Sequence, residues 1–392
     1  MESKVDIAIA GAGIGGLSAA ALLAQDGHKV VVFDQFEKPL PVGSGLVIQP
    51  VGQEVLARIG ALEAALTGGG RIGRMLGFEA TSGRRVLDVW YDRKAGQAFG
   101  LAIHRAVLFD ALYKAAKRTG VDIVANARVT AASGGQITLA NGQSAGRFDL
   151  VVDASGAGSV LSPLKARPLP YGAIWGNVDW PADTPLPMDR LSQVYRRADR
   201  MVGVLPLGRP DPSSGPKAAV FWSLPRDAHE RWVEAGLAQW KAEASALWPE
   251  ITPFLAGVTD PAQMNMARYS HGTLRRPYGD RLVMIGDAAH RASPQLGQGA
   301  NMALLDAQAL AAALRVAGCA DALKLYARAR RWHVRIYQGM SHLFTPQYQS
   351  DSRILPVVRD RVLFPLSMIP PVLLILSKLV RGDLVSPFGR LN

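Results

Sequence analysis

The period of the apolar positions changes several times along this chain, and each change marks an element. Residues 5–10 form a short apolar run that reads as a buried parallel strand. Residues 11–16 are a turn, and residues 17–25 read as a helix with Gly27 just past its end. Residues 29–33 are a second apolar strand. Parallel strands need crossover helices, so this βαβ unit predicts an α/β layer. Between Arg71 and Gly100 the segments become short, alternating and punctuated by glycine, as in Arg85–Trp90. Helix returns at 105–117, and strands at 122–125 and 149–152. A stretch rich in Pro and Trp follows from Pro168 to about Met266, with strand candidates at 172–178, 201–205 and 218–222. Residues 281–285 are again a buried strand, leading through a Gly-rich turn into an Ala-rich helix at 302–314. The α/β character leaves and returns. The expected organisation is a Rossmann-like cofactor domain made of 1–72, 100–167 and 272–350, interrupted by a β-rich substrate domain of 73–99 and 168–271. An apolar extension occupies 351–392.

Composition narrows the classes. A chain of 392 residues with 48% apolar and 19% charged residues is long and apolar enough to bury a sizeable core. The formal charge is +12, but the cations are scattered and form no Lys- or Arg-rich block, so no nucleic-acid partner is expected. An anionic substrate, a phosphate-bearing cofactor or an acidic membrane surface suits the same positive field. The single cysteine, Cys319, excludes an intrachain disulfide and a Cys-based metal site, and fits a reducing, cytoplasmic setting. It is placed near the end of the Ala-rich helix, with nothing basic beside it, and is expected to be inert. Residues 1–4 carry no basic start or apolar core of a secretory signal.

Gly11-Ala-Gly13-Ile-Gly15-Gly16 follows a strand and opens a helix, the setting in which this spacing points to dinucleotide binding. Gly11 permits the tight turn, Gly13 lets backbone N–H groups approach a pyrophosphate, and Gly16 lets helix and strand pack closely. Asp34, at the end of the second strand, is placed to accept hydrogen bonds from an adenosine ribose. The second Gly-rich turn repeats the arrangement. Gly286-Asp287 emerges from a buried strand, and Pro294, Gly297, Gly299, Ala300 and Asn301 lead into a helix whose N-terminus favours negative charge.

The run Gly286-Asp287-Ala-Ala-His290…Pro294-Gln-Leu-Gly297-Gln-Gly299-Ala300-Asn301…Asp306-Ala307 resembles the signature of the class A flavoprotein monooxygenases, the para-hydroxybenzoate hydroxylase family. The resemblance implies FAD, with Asp287 on the ribityl chain and the loop from Pro294 to Asn301 along the flavin ring. It extends to Gly43-Ser-Gly45 beside the flavin, to Arg105 as an FAD contact, and to residues 325–330 as the following helix. One motif departs from the family: Asp153-Ala-Ser155-Gly156 carries Ser155 where the family has Asp, and Ser162 stands where it has Arg. That variant also resembles geranylgeranyl-reductase-like flavoproteins. Two activities therefore stay open: hydroxylation of an aromatic or electron-rich molecule through a flavin C4a-hydroperoxide, using O2 and NADH or NADPH, and reduction of a lipophilic alkene or quinone.

Under that resemblance the reactive atom belongs to the cofactor, and the protein supplies placement and electrostatics. His104, His290 and Gln49 are candidates for proton transfer or for lining the pocket; each has a plainer reading as motif architecture or turn. Tyr171, Trp175, Trp180, Phe221 and Trp222 lie on or beside candidate strands, either as sheet core or as the wall of a pocket for a planar substrate. In the tail, Pro365, Pro370 and Pro371 interrupt an apolar run, which excludes a spanning helix of about 20 residues. Two readings remain for it, packing over the substrate domain as the wall of an apolar pocket, or peripheral docking at a bilayer interface.

Overall fold

A computed structural model of the chain describes residues 4–37, 44–93, 96–389 and 391. Met1 to Ser3 and Gly43, cited above, lie outside them. The first strand (Asp6–Ala10) is the centre of a five-stranded parallel sheet. On one side lie Leu150–Asp153 and Leu282–Met284, on the other Lys29–Phe33 and Asp122–Val124. Strands from opposite ends of the sequence thus meet as neighbours. Helices Ile14–Gln25, Arg105–Arg118, Gly299–Val316 and Cys319–Tyr348 bury their apolar faces around this layer in one continuous core.

The second layer is an eight-stranded sheet, antiparallel except where Arg190–Arg196 pairs with Arg74–Glu79. Its edge strand, His290–Arg291, comes from the segment assigned above to the cofactor domain. The Pro- and Trp-rich stretch is less purely β than its sequence suggests, because His229–Leu247 holds two helical stretches that meet at a kink at Gly236 (φ +81°). Trp240 packs on Trp222 and Trp232 packs on Trp240, with Ala244 buried in the same cluster. The strands Arg190–Arg196 and Asn265–Thr273, and a three-stranded meander at Val129–Ser133, Gln136–Leu139 and Ser144–Arg147, also went unpredicted. Cys319 does not end the Ala-rich helix. That helix stops at Val316, Ala317 and Gly318 turn extended, and Cys319 opens the next one. Burial and the nearby Asp149 push its thiol pKa up, in keeping with an inert residue.

Helix and strand approach most closely at Gly16. A Cβ there would lie 1.9 Å from the Gly11 carbonyl oxygen. Gly16→Ala should therefore cost about 1–3 kcal/mol and displace the turn, read as a lower thermal midpoint together with reduced flavin retention.

Candidate active site

The two Gly-rich turns and the strand Gly45–Ile48 meet along one wall of a cavity of about 830 Å³. Gly13, Gly15, Gly45, Arg105, Asp287, Pro294, Gly297, Gly299 and Ala300 all line it. Gly11 and Gly286 have φ of +101° and +58°, and Gly297 is left-handed at +60°, so three bends of these turns favour glycine. An added Cβ at Gly13 or Gly299 would meet nothing within 4 Å. The backbone there faces open space, and the helices Ile14–Gln25 and Gly299–Val316 begin beside it.

The facing wall is the eight-stranded sheet, and strand alternation decides which aromatics reach the cavity. Trp175 pairs with Phe221, their rings 4.5 Å apart, and both line it. Ile174 and Trp222, one residue out of step, point into the core behind. Trp180 packs in that core too, and Tyr171 donates its hydroxyl to Asp351. Sequence reasoning missed Tyr195, Tyr269 and Arg359, which line the cavity. Trp175 Nε1 donates to the Tyr269 hydroxyl at 2.9 Å. Burial pushes Tyr269 up to about 12, so it stays protonated at neutral pH. Arg359 is 1% exposed, lies over the rings of Tyr195 and Tyr348, and donates to the Arg197 and Gln347 carbonyls and to Asp360. Its Nη2 has no partner among the described residues. No motif surrounds these three, and the signal for them is spatial.

The candidates for proton transfer sit elsewhere. His104 caps the helix Arg105–Arg118: its Nδ1 accepts from Ala106 N–H, and its Nε2 lies 2.9 Å from the Asn177 side-chain amide. His290 Nε2 bonds Asp306 at 2.6 Å, turned toward the core. Gln49 is fully buried, accepts from the Tyr91 hydroxyl and donates to the Gly297 carbonyl. None of the three lines the cavity. Asn301 is likewise a brace behind the loop: it accepts from Gln49 N–H and donates to the Val47 and Gly297 carbonyls. Asp34 accepts from the N–H groups of Ala12 and Phe36, so it fixes the first turn, and a ribose would share its remaining lone pairs.

Residues 4–336 match the sequence model of a family described as an FAD binding domain. The chain belongs to the class A FAD-dependent monooxygenases. It is 28% identical over 352 residues to an FAD-dependent urate hydroxylase of Klebsiella pneumoniae subsp. pneumoniae, covering 83% of this chain and 86% of that one. It is 26% identical over 369 residues to a 2-heptyl-3-hydroxy-4(1H)-quinolone synthase of Mycobacteroides abscessus, covering 85% and 88%. The crystal structure of Klebsiella pneumoniae HpxO complexed with FAD and uric acid superposes with a TM-score of 0.81 at 22% identity, covering 99% of this chain and 98% of that one, which shows a shared fold.

The cavity of this monooxygenase fits FAD on its own chemistry. Arg105 carries a buried Nε without a partner among the described residues. Burial lowers its guanidinium pKa and Asp287 opposes that, so a phosphate would meet a cation with a donor to spare. Asp287 is crowded by protein, which raises its carboxyl against the lowering by His290, Arg291 and Arg105. Its surface is nevertheless open to the cavity, and solvent moderates that rise until a ligand fills the space. The departure from the family motif is knitted into the fold. Ser155 and Ser159 both donate to Asp153, and Ser162 donates to the Ala288 carbonyl, tying the end of Leu150–Asp153 to the Asp287 turn. Family membership does not favour the reductase alternative.

Proposed function

We propose that this enzyme hydroxylates a planar, electron-rich aromatic or heteroaromatic molecule, with dioxygen and NADH or NADPH as co-substrates. The observation that carries the reading is a single cavity with the cofactor turns on one wall and an aromatic sheet face on the other. FAD held here would supply the activation of dioxygen, with the nicotinamide as the source of electrons.

The chain's own residues do the rest. The backbone around Gly13 and Gly15, with the N-terminus of Ile14–Gln25, holds the pyrophosphate, and Arg105 adds a full charge. Asp287 would accept from a ribityl hydroxyl, and the loop from Pro294 to Ala300 would hold the ring. Trp175 and Phe221 offer faces against which a flat substrate stacks. Tyr269 accepts the Trp175 N–H, so its own hydrogen is free to donate to an oxygen of the substrate. The tail residues Leu363, Phe364, Leu376 and Leu379 wall the cavity with apolar groups, which would shield a bound substrate from water. The similar proteins named above carry urate and a heptyl-substituted quinolone in their names, and flat heteroaromatic rings of that kind suit this wall.

The test is turnover under 18O2 with a panel of phenols, quinolones and prenylated quinols. One labelled oxygen in the product, with nicotinamide oxidation matched to it, is expected. Turnover that continues without oxygen and leaves the product unlabelled would replace this reading with a reductase.

A further inference from the structure

The C-terminal strap has two unlike faces. Inward, Leu363, Phe364, Leu376, Leu379 and Val380 wall the cavity. Gln298, at the start of the helix beside the Gly297 loop, donates to the carbonyls of Leu379 and Val380 and fixes the strap there. Outward, Val357, Val362, Leu366, Ile369, Leu374 and Ile375 are each between 46% and 61% exposed. On Pro370–Arg381 the exposed positions 370, 371, 374, 375 and 378 form one stripe at helical spacing. A contiguous apolar surface of this kind is uncommon on a protein that meets only water.

Charge identifies what covers it. Along the two arms, 355–381, the exposed ionic groups are Arg361 and Lys378, and no acid is exposed among them; just before them the exposed Asp351 and Arg353 carry opposite charges. Asp360 is turned onto Arg359, and Asp383, just beyond, pairs with Arg381. An apolar stripe flanked by uncompensated cations complements anionic headgroups with acyl chains beneath them. A second copy of the chain would set two cations against two. The strap is also shaped to lie on a surface. Its arms, 355–367 and 370–381, meet at 102°, and among the described residues no single helix is long and apolar enough to cross a membrane. A twelve-residue arm reaches about 18 Å, against a hydrocarbon core of about 30 Å.

We infer that the outer face of the strap docks on an anionic bilayer surface, so that one element forms both the membrane contact and the cavity wall. The substrate class follows: a lipophilic aromatic that partitions into the bilayer and passes beside the strap into the cavity. The substrate class rests on the hydroxylase reading; the docking does not.

The test floats the full-length, FAD-loaded enzyme with phosphatidylcholine vesicles, with and without phosphatidylglycerol. The enzyme should rise with the anionic vesicles, and less so at high salt. Arg361→Gln with Lys378→Gln should weaken that binding on the order of thirtyfold. Leu374→Glu with Ile375→Glu should abolish it while flavin content and thermal midpoint stay unchanged. Enzyme that stays in the dense fraction with both vesicle types would overturn the inference, as would a stable dimer dissolved by the Leu374/Ile375 pair of substitutions. Flotation is read without turnover. Lost 18O label with retained flotation removes hydroxylation and leaves docking; retained label without flotation removes docking alone.

Discussion

Replacing Asp306 by Ala should cost the fold about 3–5 kcal/mol, the range for stripping one partner from a buried charged pair. Asp306 is fully buried. One carboxylate oxygen accepts from Gly286 N–H and pairs with His290, and the other accepts from Arg330 Nε at 2.7 Å. Burial alone would raise this carboxyl; the charges of His290 and Arg330 override it and hold it well below the ordinary range. Without it, the Arg330 guanidinium keeps its bond to the Pro387 carbonyl and loses its counter-charge. Denaturant melts at neutral pH measure the loss. The pH dependence has a definite sign. A carboxyl depressed in the folded state contributes stability above its unfolded value, about 3.9, and loses it as the pH falls below that toward the folded pKa. The wild-type protein should therefore weaken steeply on the acid side, and Asp306→Ala should show a flatter limb. Equal slopes would mean that Asp306 does not hold this network together.

Asp287→Ala should purify largely without FAD. The carboxylate is open to the cavity and stands where the second turn leaves its strand. A hydrogen bond to a charged acceptor contributes about 1.5–3 kcal/mol, so its removal should weaken FAD binding roughly 10- to 150-fold. Absorbance of the desalted protein gives the flavin-to-protein ratio, and titration with FAD gives the affinity. Asp287→Asn keeps an acceptor oxygen and should recover part of the loss. Full occupancy in Asp287→Ala would remove the ribityl contact from this residue. The two substitutions separate two layers of one turn, since Asp306 should lower the melting midpoint and Asp287 chiefly the flavin content.

The sequence by itself determined the cofactor half. The βαβ unit, both Gly-rich turns and the return of α/β character near residue 281 are local patterns, and local backbone physics fixes them: Gly11, Gly286 and Gly297 adopt positive φ, and buried parallel strands read as apolar runs. The helical stretches within His229–Leu247 are not legible in the sequence, because Gly236 breaks their periodicity and a Pro- and Trp-rich stretch reads as sheet until a partner surface is known. Only the tertiary structure decided which residues face the cavity. His104, Gln49 and Asn301 stand in or beside the motifs, yet they are bonded to neighbours far along the chain, and His290 is turned inward onto Asp306 of its own run. Tyr269 and Arg359 belong to no motif: Tyr269 reaches the cavity where the pairing of Asn265–Thr273 with Arg167–Asp179 breaks register, and Arg359 reaches it on the returning tail. A turn is encoded by the residues that make it. A pocket wall depends on which face of a distant element is left after the core has taken the other, and that choice is made only by packing.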